Sequence, residues 1–115
     1  MHEYSIVEAL IDRVRAETEA RGGSRVVRLW VRIGEMSGVD PDLLATAYET
    51  FRERSVCADA ALEVRRVPAR WSCPRCGACI AAGEALRCRS CSTPARLSEG
   101  DEIVLDRIEM EVPDV

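Results

Sequence analysis

The sequence predicts an α+β fold: a small three-stranded sheet with two helices on one face, interrupted by an inserted four-cysteine module. Three observations carry this. Two stretches repeat apolar residues at helical spacing, one around Val7 and Val14, the other around Leu44 and Phe51. Three stretches of strand length, 25–33, 62–67 and 103–112, are rich in Val, Ile and Leu. Between the last two of these lie five of the six Cys, within nineteen residues. The order helix, strand, helix, strand, insert, strand suits one sheet covered on one side.

Ser5-Ile6-Val7-Glu8 reads as a capping box. On that reading the first four residues precede the helix and their backbone is unpaired. Val7, Leu10, Ile11, Val14 and Thr18 form the buried stripe, and Gly22-Gly23 ends the helix. In 25–33, alternation places Val27, Leu29, Val31 and Ile33 on one face and Arg28, Trp30 and Arg32 on the other. A loop follows over 34–39. Asp40-Pro41 opens the second helix, with Asp as N-cap and Pro at the first helical position. Leu44, Ala47, Tyr48 and Phe51 are its core stripe. Pro68 closes the strand at 62–67. In 103–112 the apolar parity changes near Asp106, which reads as a bulge or a turn. The chain thus divides into an α+β domain, 1–67 and 100–115, and an inserted domain, 68–99.

At 115 residues, 47% apolar and 31% charged, the composition is that of an ordinary soluble globular chain. No apolar run is long enough to span a bilayer. The start lacks the basic and apolar regions of a secretory signal, so the expected compartment is the reducing cytoplasm. Clustered Cys there point to metal or redox chemistry rather than disulfides. The net charge of −4 is uneven: residues 65–96 carry +6 and the remainder −10. A basic insert on an acidic body supports the two-part organisation.

Cys73-Pro74-Arg75-Cys76-Gly77 and Cys88-Arg89-Ser90-Cys91-Ser92 are two C-x-x-C knuckles, eleven residues apart. Each wraps two thiolates around one tetrahedral ion, and a small residue after the second Cys lets backbone N–H groups approach the sulfurs. Together they make a zinc-ribbon-like Cys73, Cys76, Cys88, Cys91 site. Cys76-Gly77-Ala78-Cys79 is also a C-x-x-C, so Cys79 is either a bystander or an exchangeable ligand. Four thiolates leave no open coordination position, which argues against hydrolytic zinc catalysis. A module with so few large apolar residues needs such an ion in place of a core. Cys57 stands apart and reads as a small buried hydrophobe.

The lone His is at position 2. The terminal amine, the amide nitrogens of His2 and Glu3, and the His2 imidazole are nitrogen donors within three residues. Such a set favours planar Ni(II) or Cu(II) over zinc. Binding releases protons, so it weakens as pH falls. The ring chelates through its own amide, whose in-plane neighbours compete with it, so it binds in a strained way, axially, or from another chain.

Met1-His2-Glu3-Tyr4-Ser5, the run Ile33-Gly34-Glu35-Met36-Ser37-Gly38-Val39-Asp40-Pro41 and the two knuckles resemble the HypA/HybF family of nickel metallochaperones for [NiFe]-hydrogenase maturation. The resemblance covers essentially the whole chain. It implies a nickel domain and a zinc domain, with Ni(II) held as transient cargo through Met1, His2 and Glu3 and Zn(II) as a structural ion. Glu35 and Asp40 would approach the nickel from the loop before the second helix, although Asp40 by position is a helix cap. The implied partners are the nickel-binding maturation GTPase and the hydrogenase large-subunit precursor. Urease maturation proteins are a further family association. The insert has no His, so His-for-Cys exchange at the zinc is not available here.

Three competing readings remain. A zinc-ribbon nucleic-acid module rests on the basic insert but lacks aromatics for base stacking. A thiol oxidoreductase would use Cys76 and Cys79, yet no nucleophile–base pair, phosphate loop or dinucleotide fingerprint is present, and the expectation is a non-enzyme. A protein-interaction adaptor without nickel function differs from the chaperone only in what His2 does. An exposed strand edge permits homodimerisation without selecting it.

Overall fold

The computed structural model describes residues 2–113. Helix α1 runs His2–Ala20, so it begins three residues before the expected cap at Ser5. His2, Glu3 and Tyr4 are therefore in the helix rather than before it. Tertiary contacts outweigh the capping signal. The Tyr4 ring meets Phe51 edge-on at 5.2 Å. The Asp40 N–H donates to Glu3 Oε2 at 3.3 Å. Tyr4 and Ile6 also pack against the core, whereas Ser5 stays exposed. At the other end Gly22 takes φ +65 and Gly23 N–H donates to the Thr18 carbonyl at 2.9 Å. This is the glycine-ended helix that Gly22-Gly23 forecast.

Strand β1, Arg25–Gly34, is the middle strand of the first sheet. It pairs parallel with β2, Ala61–Val67, and antiparallel with β6, Ile103–Glu111. A parallel pair needs a crossover, and α2, Pro41–Phe51, supplies it. Of the bulge or turn expected near Asp106, the structure shows the bulge: Trp30 pairs with Arg107 and Val31 with Leu105, leaving Asp106 as the extra residue. A second irregularity was not foreseen. Val26 pairs with Met110 and Arg28 with Glu109, leaving Val27 as the extra residue. Val26, not Val27, is therefore buried with Leu29, Val31 and Ile33.

Both helices cover that one face. Val7 and Val14 of α1 and Leu44, Ala47 and Tyr48 of α2 are fully buried against β1. Each buried aliphatic side chain contributes about 1.5–3 kcal/mol. Asp40 caps α2, accepting from the N–H groups of Asp42 at 2.9 Å and Leu43 at 3.3 Å, with Pro41 in the first turn. The Tyr48 hydroxyl donates to the Ala60 carbonyl at 2.8 Å. Cys57 is fully buried, as expected, and burial raises its thiol above the ordinary range. On the open face the guanidinium groups of Arg107 and Arg28 approach the Trp30 ring, at 4.6 and 5.9 Å from its centroid.

The insert forms a second small sheet in the order β4-β3-β5: β3 is Arg70–Ser72, β4 Cys79–Ile80 and β5 Arg96–Glu99. Strands this short carry no readable alternation. The two segments joining the sheets converge on the loop after β1. Gly34 N–H donates to the Glu102 carbonyl, Glu35 N–H to Val67, and Met36 N–H to Gly100, at 2.8, 2.8 and 2.7 Å. The Glu35 carboxylate accepts the Ala69 N–H at 2.8 Å. Among the described residues, no helix is long and apolar enough to cross a membrane.

A Cβ on Gly34 would stand 2.2 Å from the Gly100 carbonyl oxygen. Gly34→Ala is therefore expected to cost about 1–3 kcal/mol through overpacking against backbone. Urea unfolding of the native and substituted chains measures it. An unchanged midpoint would contradict the close approach.

Candidate metal centres

The structure gathers four of the six sulfurs. Cys73, Cys76, Cys88 and Cys91 have Sγ atoms within 4.8 Å of one another. The Cys76–Cys88 separation is 3.8 Å. A tetrahedral ion with Zn–S bonds of about 2.3 Å requires sulfur–sulfur distances of about 3.8 Å, the separation of this pair, and the whole quartet is gathered closely enough to suit a four-thiolate centre. Cys79 is not in the group; it is exposed on β4, opposite Ser72.

The two knuckles are built alike. Gly77 N–H donates to the Cys73 carbonyl and Ser92 N–H to the Cys88 carbonyl, each at 2.9 Å. Gly77 and Ser92 both have positive φ, +77 and +53. The tight turn brings the Arg75 N–H within 3.4 Å of Cys73 Sγ. Gly adopts such a backbone without strain; Ser does not. Among the described residues of the insert, only Cys73 and Cys88 are buried. With so little apolar burial, the centre of this sheet is the thiol cluster itself, which suits a metal-stabilised module.

The electrostatics agree. Hydrogen bonding from the Cys76 backbone N–H leads in lowering the Cys73 thiol to about 7, while burial opposes it. Cys91 is pushed up to about 12, first by its hydrogen bond with Cys76 and then by burial. Thiols this close cannot all ionise without a cation to offset their charge.

The N-terminal residues present a different geometry. Met1 lies outside the described residues. His2 is exposed in the first turn of α1, and its Nε2 is 3.1 Å from the Gly38 carbonyl. The Glu3 carboxylate is engaged by the Asp40 backbone, the Asp40 carboxylate by its helix cap, and the Glu35 carboxylate by Ala69. Among the described residues, the cysteine quartet is the one group of three or more His, Cys, Asp or Glu with converging ligand atoms. The His2, Glu3, Glu35 and Asp40 side chains are thus neighbours along one loop and helix start, not a preformed cage. Sequence reasoning did not find Gly38, because a carbonyl acceptor leaves no mark in a pattern of side chains.

An α+β body with the lone His in its first helical turn, bearing a small sheet with a cluster of four thiols, defines a small metal-binding protein. Comparison with known proteins specifies which. The family described as "Hydrogenase/urease nickel incorporation, metallochaperone, hypA" matches residues 1–110. The hydrogenase maturation factor HypA of Shewanella sp. (strain MR-7) is 37% identical over 116 residues, covering 99% of this chain and 98% of its own. That of Wolinella succinogenes is 38% identical over 117 residues, again covering 99% and 98%. The solution structure of the Ni metallochaperone HypA from Helicobacter pylori superposes with a TM-score of 0.75 at 31% identity, covering 96% of this chain and 98% of that one. The chain belongs to the HypA family of nickel metallochaperones acting in hydrogenase maturation.

Three outcomes test the thiol cluster. Cys88→Ser should lower the metal content of the purified chain while Cys79→Ser leaves it unchanged, as measured by elemental analysis. Ser92→Gly relieves a left-handed backbone worth about 1–2 kcal/mol, so it should retain metal against a chelator better than the native chain. Because binding displaces thiol protons, acidification must favour the metal-free form. Below about 7 Cys73 too is protonated in the metal-free chain, and one more proton must leave for each ion bound. A zinc-affinity titration from pH 8 to pH 5, a window set about that value, should fall throughout and more steeply at its acid end.

Proposed function

We propose that this protein binds Ni(II) at its N-terminus through Met1, His2 and Glu3 and delivers it to a [NiFe]-hydrogenase during maturation, with Zn(II) held by Cys73, Cys76, Cys88 and Cys91. The observation that carries the reading is that the only His of a chain belonging to a nickel metallochaperone family is exposed in the first helical turn. The early helix start is compatible with chelation. The first N–H groups of an α-helix have no intrahelical partners, so the His2 and Glu3 amides are not committed to helix bonds. A site on the rim of the fold, without a preformed cage, suits a cargo that must leave. Glu35 and Asp40 shape the loop beside it.

In this reading 1–67 and 100–115 form the nickel-binding domain and 68–99 the zinc-binding domain. The zinc is structural and catalyses nothing. Its sheet offers a basic docking surface, since that part of the chain carries the positive excess. The partners are the nickel-binding maturation GTPase and the hydrogenase large-subunit precursor, met in the cytoplasm. The wording of the family description extends this to urease maturation proteins.

His2→Ala should abolish stoichiometric Ni(II) binding in calorimetry of the untagged chain and leave zinc content intact. A residue added before Met1 should do comparable damage, because it converts the terminal amine to an amide. Native nickel affinity in His2→Ala would exclude the terminal site.

A further inference from the structure

We propose that the Gly38 carbonyl is a positioning group for nickel binding: it holds His2 in the tautomer whose Nδ1 carries a lone pair for the ion. The inference rests on the terminal nickel site proposed above and adds a residue to it. A carbonyl oxygen only accepts hydrogen bonds. At 3.1 Å from it, His2 Nε2 must therefore be the protonated nitrogen. The proton of the neutral ring is then committed to Nε2, and Nδ1 is left as the acceptor. Covalent structure makes Nδ1 the ring nitrogen within chelate reach of the His2 amide. The bond to Gly38 therefore leaves the chelating atom unprotonated and need not break when the ion binds. Metal-binding imidazoles commonly donate their second ring N–H in this way, to a carbonyl or carboxylate that orients the ring and raises its basicity.

The loop is shaped for this. Gly38 has φ +80, which a Gly adopts readily and most L residues do not. Nothing lies within 4 Å of a Cβ added there, so a side chain would fit and the constraint at this position is the backbone angle alone. The segment is held on both sides. Met36 N–H bonds the Gly100 carbonyl before it, and the Asp40 cap anchors α2 after it. Val39 is buried in the core. The Gly38 carbonyl is thus presented to His2 by a loop tied at each end, while its own residue packs against nothing.

The test uses the full, untagged chain with its zinc. Long-range proton–nitrogen NMR of the metal-free native protein should show His2 as a single neutral Nε2–H tautomer; a mixture, or the Nδ1–H form, would overturn the proposal. Gly38→Val forces a β-branched residue into positive φ, an outlier conformation, and should swing the carbonyl away. Its Ni(II) affinity by calorimetry should fall about 10–100-fold with zinc content unchanged. Gly38→Asn, which tolerates positive φ, should bind close to the native level. Native affinity in Gly38→Val also overturns the proposal. His2→Ala separates the two readings. If His2→Ala loses nickel and Gly38→Val does not, only the role of Gly38 fails. If His2→Ala binds normally, the terminal site itself fails.

Discussion

Neither Gly34 nor Gly100 accommodates a side chain: a Cβ on Gly34 would stand 2.2 Å from the Gly100 carbonyl oxygen, and one on Gly100 would stand 2.7 Å from Ala69 Cα. This backbone contact sits where β1 ends, where the chain leaves β2 for the cysteine-rich sheet, and where it returns toward β6. The three segments are stitched by main-chain hydrogen bonds through Gly34, Glu35 and Met36. Close approach of this kind requires glycine, because any Cβ would separate the strands by more than a hydrogen bond can span. The placement of the insert relative to the helical face depends on it. So does the loop that begins there and ends at the Asp40 cap.

That loop is the physical link between the two candidate metal centres. One end is bonded to the segments carrying the thiol sheet, through Glu35 to Ala69 and Met36 to Gly100. The other end meets the first turn of α1, through Gly38 to His2 and Asp40 to Glu3. Few of these contacts involve buried side chains, and those to α1 are exposed. Such elements open more easily than a packed core.

The two centres differ in how they are assembled, and this explains how legible each was. The thiol cluster is local. Its four ligands come from two short repeats, and the turn geometry at Gly77 and Ser92 follows from each repeat alone. Spacing was enough to favour Cys73, Cys76, Cys88 and Cys91 as a group, while Cys79 stayed open until the structure left it outside the cluster. The surroundings of His2 are non-local. Gly38 and Asp40 reach it from more than thirty residues away, and only α1 packing across α2 brings them there. The start of α1 was misread for the same reason. Ser5 and Glu8 make an acceptable capping box, but burial of Tyr4 and Ile6 outweighs a cap worth about 1 kcal/mol.

The sequence by itself determined the two helices and the three strands of the first sheet, the packing of both helices on one face of it, an irregularity near Asp106 and the cysteine quartet. Each depends on periodicity or on spacing within a few residues, where covalent geometry leaves little choice. The tertiary structure alone decided that β2 runs parallel to β1, that Val26 rather than Val27 enters the core, and that His2, Glu3 and Tyr4 are helical. It also brought a carbonyl from a distant loop to the lone His. These outcomes turn on register and on contacts between segments far apart in the chain. There the free energy of packing the whole sheet and its helices outweighs any local preference.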